Sequence, residues 1–333
     1  MDLSALLLLT AIAGYGDPVE GFPSAEEREL VLWTNAARVA PKEFKSEYSA
    51  GGCSIADFSA DEKKAKAPLY IDLDLTEVAR VHSADMHDNG CFQHESCDGT
   101  DTWTRVGRYY HDANSGLGEN IAYGSSDPKY TVLSMWMCSH DGHRANIMSG
   151  SFNEMGGGID HDYMTQDFAA GELREGDPPV RVAAERGGVI WADWGDDSAP
   201  AELSLYVDGN ATDMVLKYGD DDNGVYYQSI DGDACTPWWV SWTTKGGESG
   251  TFPATGAFLS GGCDDDYDAD ARPAGSGDGD GDDVGDDVNP GNGAIKVPEV
   301  LCSTSPEAGL LAGVLGALAV MRRRGSFGAD SRR

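Results

Sequence analysis

Phe92-Gln93-His94-Glu95-Ser96-Cys97-Asp98-Gly99, then Gly118-Glu119-Asn120-Ile121-Ala122, then the run from Trp136 to Met148 (WMCSHDGHRANIM) follow one another in the middle of this chain. Together they supply His94, Glu119 and His143, two imidazoles and a carboxylate, each beside glycines or a helix end where side chains converge. Neutral imidazoles with a carboxylate suit a divalent cation such as Zn²⁺, or a polar ligand in a cleft. Binding to imidazole requires the deprotonated ring, so occupancy is expected to fall as the pH drops through about 6.5. The same three residues also suit a hydrogen-bonded network that braces the cleft and binds nothing.

Outward from these islands the elements are legible. Ser24-x-x-Glu27 is a capping box, which predicts a helix to about Val39, ending before Pro41. A second helix is expected from about Thr76, with Leu75, Val78, Ala79, His82 and Met86 on one face, so that His82 reads as a core histidine. Asp127-Pro128 opens a third helix, expected to close at Gly142. Met155-Gly-Gly-Gly-Ile159 and Gly188 to Trp194 read as strands, and glycine in the first lets another backbone or a ligand come close. Helices and strands without a regular βαβ alternation predict an α+β fold with an antiparallel sheet.

Residues 201–263 lose helical periodicity. Leu203 to Val207, Met214 to Tyr218, Val225 to Ile230 and Trp238 to Thr243 read as short strands between glycine turns. Trp238 and Trp242 share one face there, as an accessory core or as a sugar-binding surface. The expected organisation is an export segment (1–23), a mixed α/β domain (24–198), a small β-rich domain (199–263), an acidic disordered linker (264–300) and a C-terminal tail (301–333).

The motifs Leu32-x-x-Asn35-x-x-Arg38, Ala79 to Met86, Phe92-Gln-His94, Gly118 to Ala122, Gly142 to Met148 and Phe152 to Gly158 together resemble the CAP superfamily. That superfamily is named for cysteine-rich secretory, antigen 5 and pathogenesis-related 1 proteins, and the similarity is to its bacterial secreted branch. The resemblance implies a three-layer α-β-α sandwich with an antiparallel sheet and a large cleft lined by two histidines and two acids. Matched by motif, these fall on His94, Glu119 and His143, with Ser139 where the second acid would stand. The spacing before His143 is one residue longer than usual, so His140 is a competitor for the site. The cleft residues are thus His94, Glu119, Ser139 and His143, with His94 and His143 as zinc ligands and Glu119 as the candidate base toward a metal-bound water. Ser139 activated by His143 is the weaker nucleophilic version, since no G-x-S-x-G elbow is present. Lipid and peptide are the ligand classes implied, and Trp103, Trp136, Trp191 and Trp194 are either groove-lining or core. A binding module is favoured over its two rivals, an extracellular metal-dependent hydrolase and a purely adhesive protein.

Charge and cysteines speak about location. Lys and Arg number 24 against 57 Asp and Glu, a net charge of −33. Phosphate backbones repel such a chain, which excludes nucleic-acid partners. Part of the charge is local, because residues 264–288 hold eleven Asp and one Arg. The seven cysteines include no C-x-x-C pair, so six in the folded region are read as three disulfides of an oxidising compartment, with Cys91–Cys97 and Cys235–Cys263 the expected pairs. Leu3 to Ile12, a largely apolar stretch ending in Ala11-Ile12-Ala13, is read as an export signal lacking its usual basic start. Ala308 to Met321 followed by Arg322-Arg323-Arg324 is short for a membrane span and, with Cys302 upstream, resembles myxobacterial sorting tails. Membrane attachment through this tail is therefore expected.

Overall fold

The computed structural model describes residues 14–110, 116–140, 142–171, 177–230 and 234–272. The expected export segment, most of the acidic linker, Cys302 and the C-terminal tail lie outside the described residues. Among the described residues, no helix is long and apolar enough to cross a membrane.

The first half of the chain forms α1 (Ala25–Val39), α2 (Lys45–Ala50), β1 (Tyr70–Ile71), α3 (Leu73–Asn89), α4 (Thr102–Val106), β2 (Leu117–Tyr123), α5 (Pro128–Tyr130), α6 (His143–Ile147), β3 (Glu154–Asp160) and β4 (Tyr163–Ala169). The capping box of α1 is present: Glu27 N donates to Ser24 Oγ at 3.2 Å, and Ser24 N donates to the Glu27 carboxylate at 2.9 Å. Helix α3 begins at Leu73 rather than near Thr76, because Asp72 accepts from Leu75 N at 2.8 Å and caps it. Gly90, at φ +65°, ends it in the left-handed conformation.

The helix expected to reach Gly142 stops early. After α5 the chain widens into a π-helical segment, Thr131–Trp136, and leaves the helix at Met137. Tertiary ties hold this stretch: Ser134 Oγ donates to Glu47 O at 2.9 Å, and Cys138 is disulfide-bonded to Cys53.

The first sheet has the order β1-β3-β4-β2, antiparallel except for the β1–β3 pair. Its layering is set by Gly156-Gly157-Gly158, whose faces alternate along β3. A Cβ on Gly156 would stand 2.1 Å from Thr76 N, and one on Gly158 would stand 2.0 Å from Arg80 N, both in α3. On the opposite face a Cβ on Gly157 would meet Leu30 of α1 at 2.9 Å. The sheet is thus pressed between α3 and α1 as an α-β-α sandwich, the expected fold class.

Helix α1 is covered on its far side too. The strands β5 (Ala183–Glu185), β6 (Val189–Gly195), β7 (Glu202–Val207), β8 (Asn210–Asp213), β9 (Val215–Gly219) and β10 (Asn223–Ser229) follow, and then β11 (Pro237–Thr243), β12 (Ser249–Phe252), β13 (Ala257–Leu259) and β14 (Tyr267–Asp268). A second sheet, β5-β6-β10-β9, packs on α1, and every residue from Glu27 to Val39 is buried. A helix enclosed all round must satisfy its polar groups internally. Asn35 does so by exchanging two hydrogen bonds with the Leu69 backbone, at 2.8 and 2.9 Å. Arg38 donates to Ala67 O, Ile147 O and Ser149 O.

Strand β10 pairs with β6 along its whole length, so one sheet spans the boundary expected between 198 and 199. A third sheet, β14-β13-β11-β7-β8 with β12 on β11, follows. In it Trp238 and Trp242 are buried, as core rather than an exposed sugar platform, and Trp136 and Trp194 are core as well. Trp103 alone of the four groove candidates is strongly exposed, while Trp191 stacks partly buried on Tyr218 and Tyr227. His82 is fully buried, with Nε2 on Gln93 O at 3.1 Å, and burial lowers its pKa; the core reading holds. Cys91–Cys97 and Cys235–Cys263 pair as expected, and Cys53–Cys138 is the third bridge.

Candidate functional site

Glu119 lies on β2, and its side chain is 1% exposed. Both of its oxygens are committed. Oε1 faces His94 Nδ1 at 2.8 Å, and Oε2 is held by the Arg105 guanidinium of α4. Arg105 is itself buried, and it also donates to His94 O at 3.0 Å and Ser96 Oγ at 3.2 Å. Thr102 Oγ1 donates to the same His94 carbonyl at 2.7 Å.

The loop that carries His94 is therefore fastened at its backbone as well as its ring. The Cys91–Cys97 disulfide closes it, and Cys97 N donates to Asp85 Oδ2 of α3 at 2.7 Å. The His94 side chain remains 51% exposed. Its Nδ1 is oriented inward by a carboxylate, the arrangement that fixes the tautomer of metal-bound histidines and leaves Nε2 as the donor toward a ligand. The hydrogen bond to Glu119 raises the His94 pKa above 6.5, against the opposing effect of partial burial.

A second acid is present, though not where the motif places it. Asp167 on β4 stands opposite Glu119 in the strand register and is 1% exposed. No donor reaches either of its oxygens. Burial, with the Glu119 charge next, pushes its carboxyl well above the usual range. Sequence reasoning missed both Arg105 and Asp167. Only the pairing of β2 with β4 and the packing of α4 bring them to Glu119, and the sequence reading assigned no element to 163–169.

His143 opens α6, whose docking on β2 is mediated by asparagines. Asn120 Nδ2 donates to His143 O at 3.2 Å, and Asn146 Nδ2 donates to Glu119 O at 3.1 Å and to Asn120 Oδ1 at 2.9 Å. The motif residues Asn120 and Asn146 thus lock the histidine-bearing turn to the glutamate-bearing strand. Ser139 sits beyond the π-helical segment beside Cys138, in the turn tied to the end of α2, and His140 is exposed.

Among the described residues, the donor atoms of His94, Glu119 and His143 do not form a group within 4.8 Å of one another. A closed three-donor metal centre that includes Glu119 therefore does not fit this geometry. A metal held by imidazoles, with Glu119 behind His94, fits the donor chemistry.

An α-β-α sandwich carrying His94 and Glu119 side by side, with α6 docked on β2, defines a CAP-type domain. Residues 33–170 match the family described as "Cysteine-rich secretory protein family", and this part of the chain is a CAP domain. Two proteins of Bacillus subtilis are similar to it. "Uncharacterized protein YkwD" is 38% identical over 138 residues, covering 40% of this chain and 42% of that protein. "Uncharacterized membrane protein YlbC" is 35% identical over 106 residues, covering 32% of this chain and 30% of that protein. The chain thus spans less than half the length of these relatives. A solved extracellular protein containing a SCP domain from Bacillus anthracis is 33% identical, with a TM-score of 0.28, covering 32% of this chain and 35% of that one.

Proposed function

We propose that this is an exported CAP-domain binding protein whose cleft takes a divalent cation on His94 and His143, with Glu119 as the carboxylate that orients His94 from behind. The observation that carries this reading is the double engagement of Glu119, by the His94 ring on one oxygen and Arg105 on the other, in a buried position beneath a half-exposed imidazole. A general base must be within reach of the proton it removes, and a carboxylate spent on two internal partners is poorly placed for that. Binding is thereby favoured over metal-dependent hydrolysis, and the retained His94–Glu119 pair argues against a vestigial cleft on a purely adhesive protein.

Export is supported by three disulfides, which persist in oxidising compartments. Attachment to the cell surface through residues 301–333 belongs to the same proposal. A second reading, an apolar or peptide ligand, is favoured by exposed Phe92 and Tyr123, which lie 6.2 Å apart by ring centroid and adjoin Tyr163.

Zinc titration of the full chain by calorimetry, beside His94→Ala and His143→Ala, tests the metal. Loss of an equivalent of zinc in both variants is the expected result. Equal binding in all three proteins would make the histidines braces and turn the search to apolar and peptide ligands along Phe92 and Tyr123.

A further inference from the structure

Apart from the His94–Glu119 pair, the C-terminal turn of α3 meets the β3–β4 hairpin at three potential ligands. His87 Nδ1 lies 3.3 Å from Asp160 Oδ2, and His161 Nδ1 lies 2.6 Å from Asp160 Oδ1. The two imidazoles are stacked, with centroids 4.0 Å apart and planes 25° apart. One donor atom from each of the three residues falls within 4.8 Å of the others.

His161 Nδ1 is satisfied by an ordinary hydrogen bond to Asp160. His87 Nδ1 is not: it is shielded from solvent and has no hydrogen-bond partner, although Asp160 Oδ2 and, at 3.6 Å, Asp88 Oδ1 are close. A shielded ring nitrogen facing carboxylate oxygens leaves a place between them that either a proton or a metal ion fills. Its 3.3 Å separation from Asp160 Oδ2 is the edge two ligands make on one tetrahedral zinc, about 3.3–3.4 Å for bonds of about 2.0–2.1 Å.

We propose that His87, Asp160 and His161 form a second, surface site for Zn²⁺ or a similar first-row divalent ion, independent of the His94 cleft. Imidazole nitrogens with a carboxylate are the donors such ions prefer over Ca²⁺ and Mg²⁺. His161 is 68% exposed and Asp160 25%, so the ion has an open path and room for a water as its fourth ligand. An ion shared by both rings requires them to splay from their stacked position, which the exposed hairpin turn permits. His161 itself adopts φ +56°, in the left-handed region that other residues rarely occupy. The site would staple α3 to the β3–β4 turn.

The test uses the full chain carrying His94→Gln and His143→Gln, so that the cleft contributes no zinc, with excess calcium present to occupy the acidic segment. Competition with a chromophoric chelator reads the zinc affinity. The expected result is one equivalent of zinc retained in this background. Adding His87→Gln, or His161→Asn, which tolerates the left-handed backbone, should weaken it at least about tenfold, with the circular dichroism of the metal-free protein unchanged. Absence of zinc from the background protein, or an affinity indifferent to His161→Asn, would overturn the proposal and leave the cluster a hydrogen-bonded staple. Because the cleft histidines are removed at the outset, failure here and failure of the cleft proposal are read separately.

Discussion

At the scale of single residues, His94 and Glu119 act as one unit, and the pH response of the site follows from it. The Glu119 hydrogen bond raises the His94 pKa above 6.5 in the folded protein. The protonated ring is thus bound more tightly in the folded state, so its contribution to stability is complete below 6.5 and is lost as the pH climbs through the folded value. At the proposed zinc site the metal would compete with that proton, so its affinity should grow as the pH rises past the same point. Titration of His94 by NMR should give a midpoint above 6.5, moving down in Glu119→Gln. An unchanged midpoint would remove Glu119 from this role. His94, Glu119 and His143 were legible in sequence because short motifs carry them. Arg105 and Asp167 were not, since a buried ion pair and a buried acid without a donor have no local pattern; their meaning lies in which strand and helix come to rest beside Glu119.

At the scale of elements, the capping box and helical stripes were readable because they obey rules of a few residues' reach. The glycine run of β3 was readable as a close approach but not as an approach from both sides. Gly156→Ala and Gly158→Ala should each cost about 1–3 kcal/mol or more, because the added methyl meets the backbone of α3, which cannot turn aside. Gly157→Ala should cost less, since its methyl meets the Cδ2 end of Leu30, a side chain able to rotate. Urea midpoints of the three variants check the order, and equal losses would contradict the layering described. The early end of the third helix was illegible for the opposite reason: the periodicity of Val132, Met135 and Trp136 continues helical, while the Cys53–Cys138 bridge and the Ser134–Glu47 hydrogen bond draw the chain away.

At the scale of the whole molecule, α1 is the centre, with the first sheet on one side and β5-β6-β10-β9 on the other. All described residues lie in one compact unit. A chain cut after residue 198 would lack β9 and β10, leaving β6 without its longest neighbour and uncovering α1. It should unfold broadly and bind hydrophobic dyes, whereas residues 14–272 should unfold in one cooperative step by calorimetry. Cooperative unfolding of the shorter piece would show that the β-rich region is a separable domain after all. The sequence by itself determined the α+β class, the CAP kinship of the middle of the chain, two of the three disulfides and a strongly anionic chain. These rest on local periodicity, motif order and composition, which need no knowledge of distant contacts. Tertiary structure alone decided that α1 is enclosed on both faces, that Arg105 and Asp167 complete the surroundings of Glu119, and that His87, Asp160 and His161 converge. Each of those depends on strands and helices far apart in the chain meeting in one register, and such pairing is settled by the burial of whole faces rather than by any residue's neighbours in sequence.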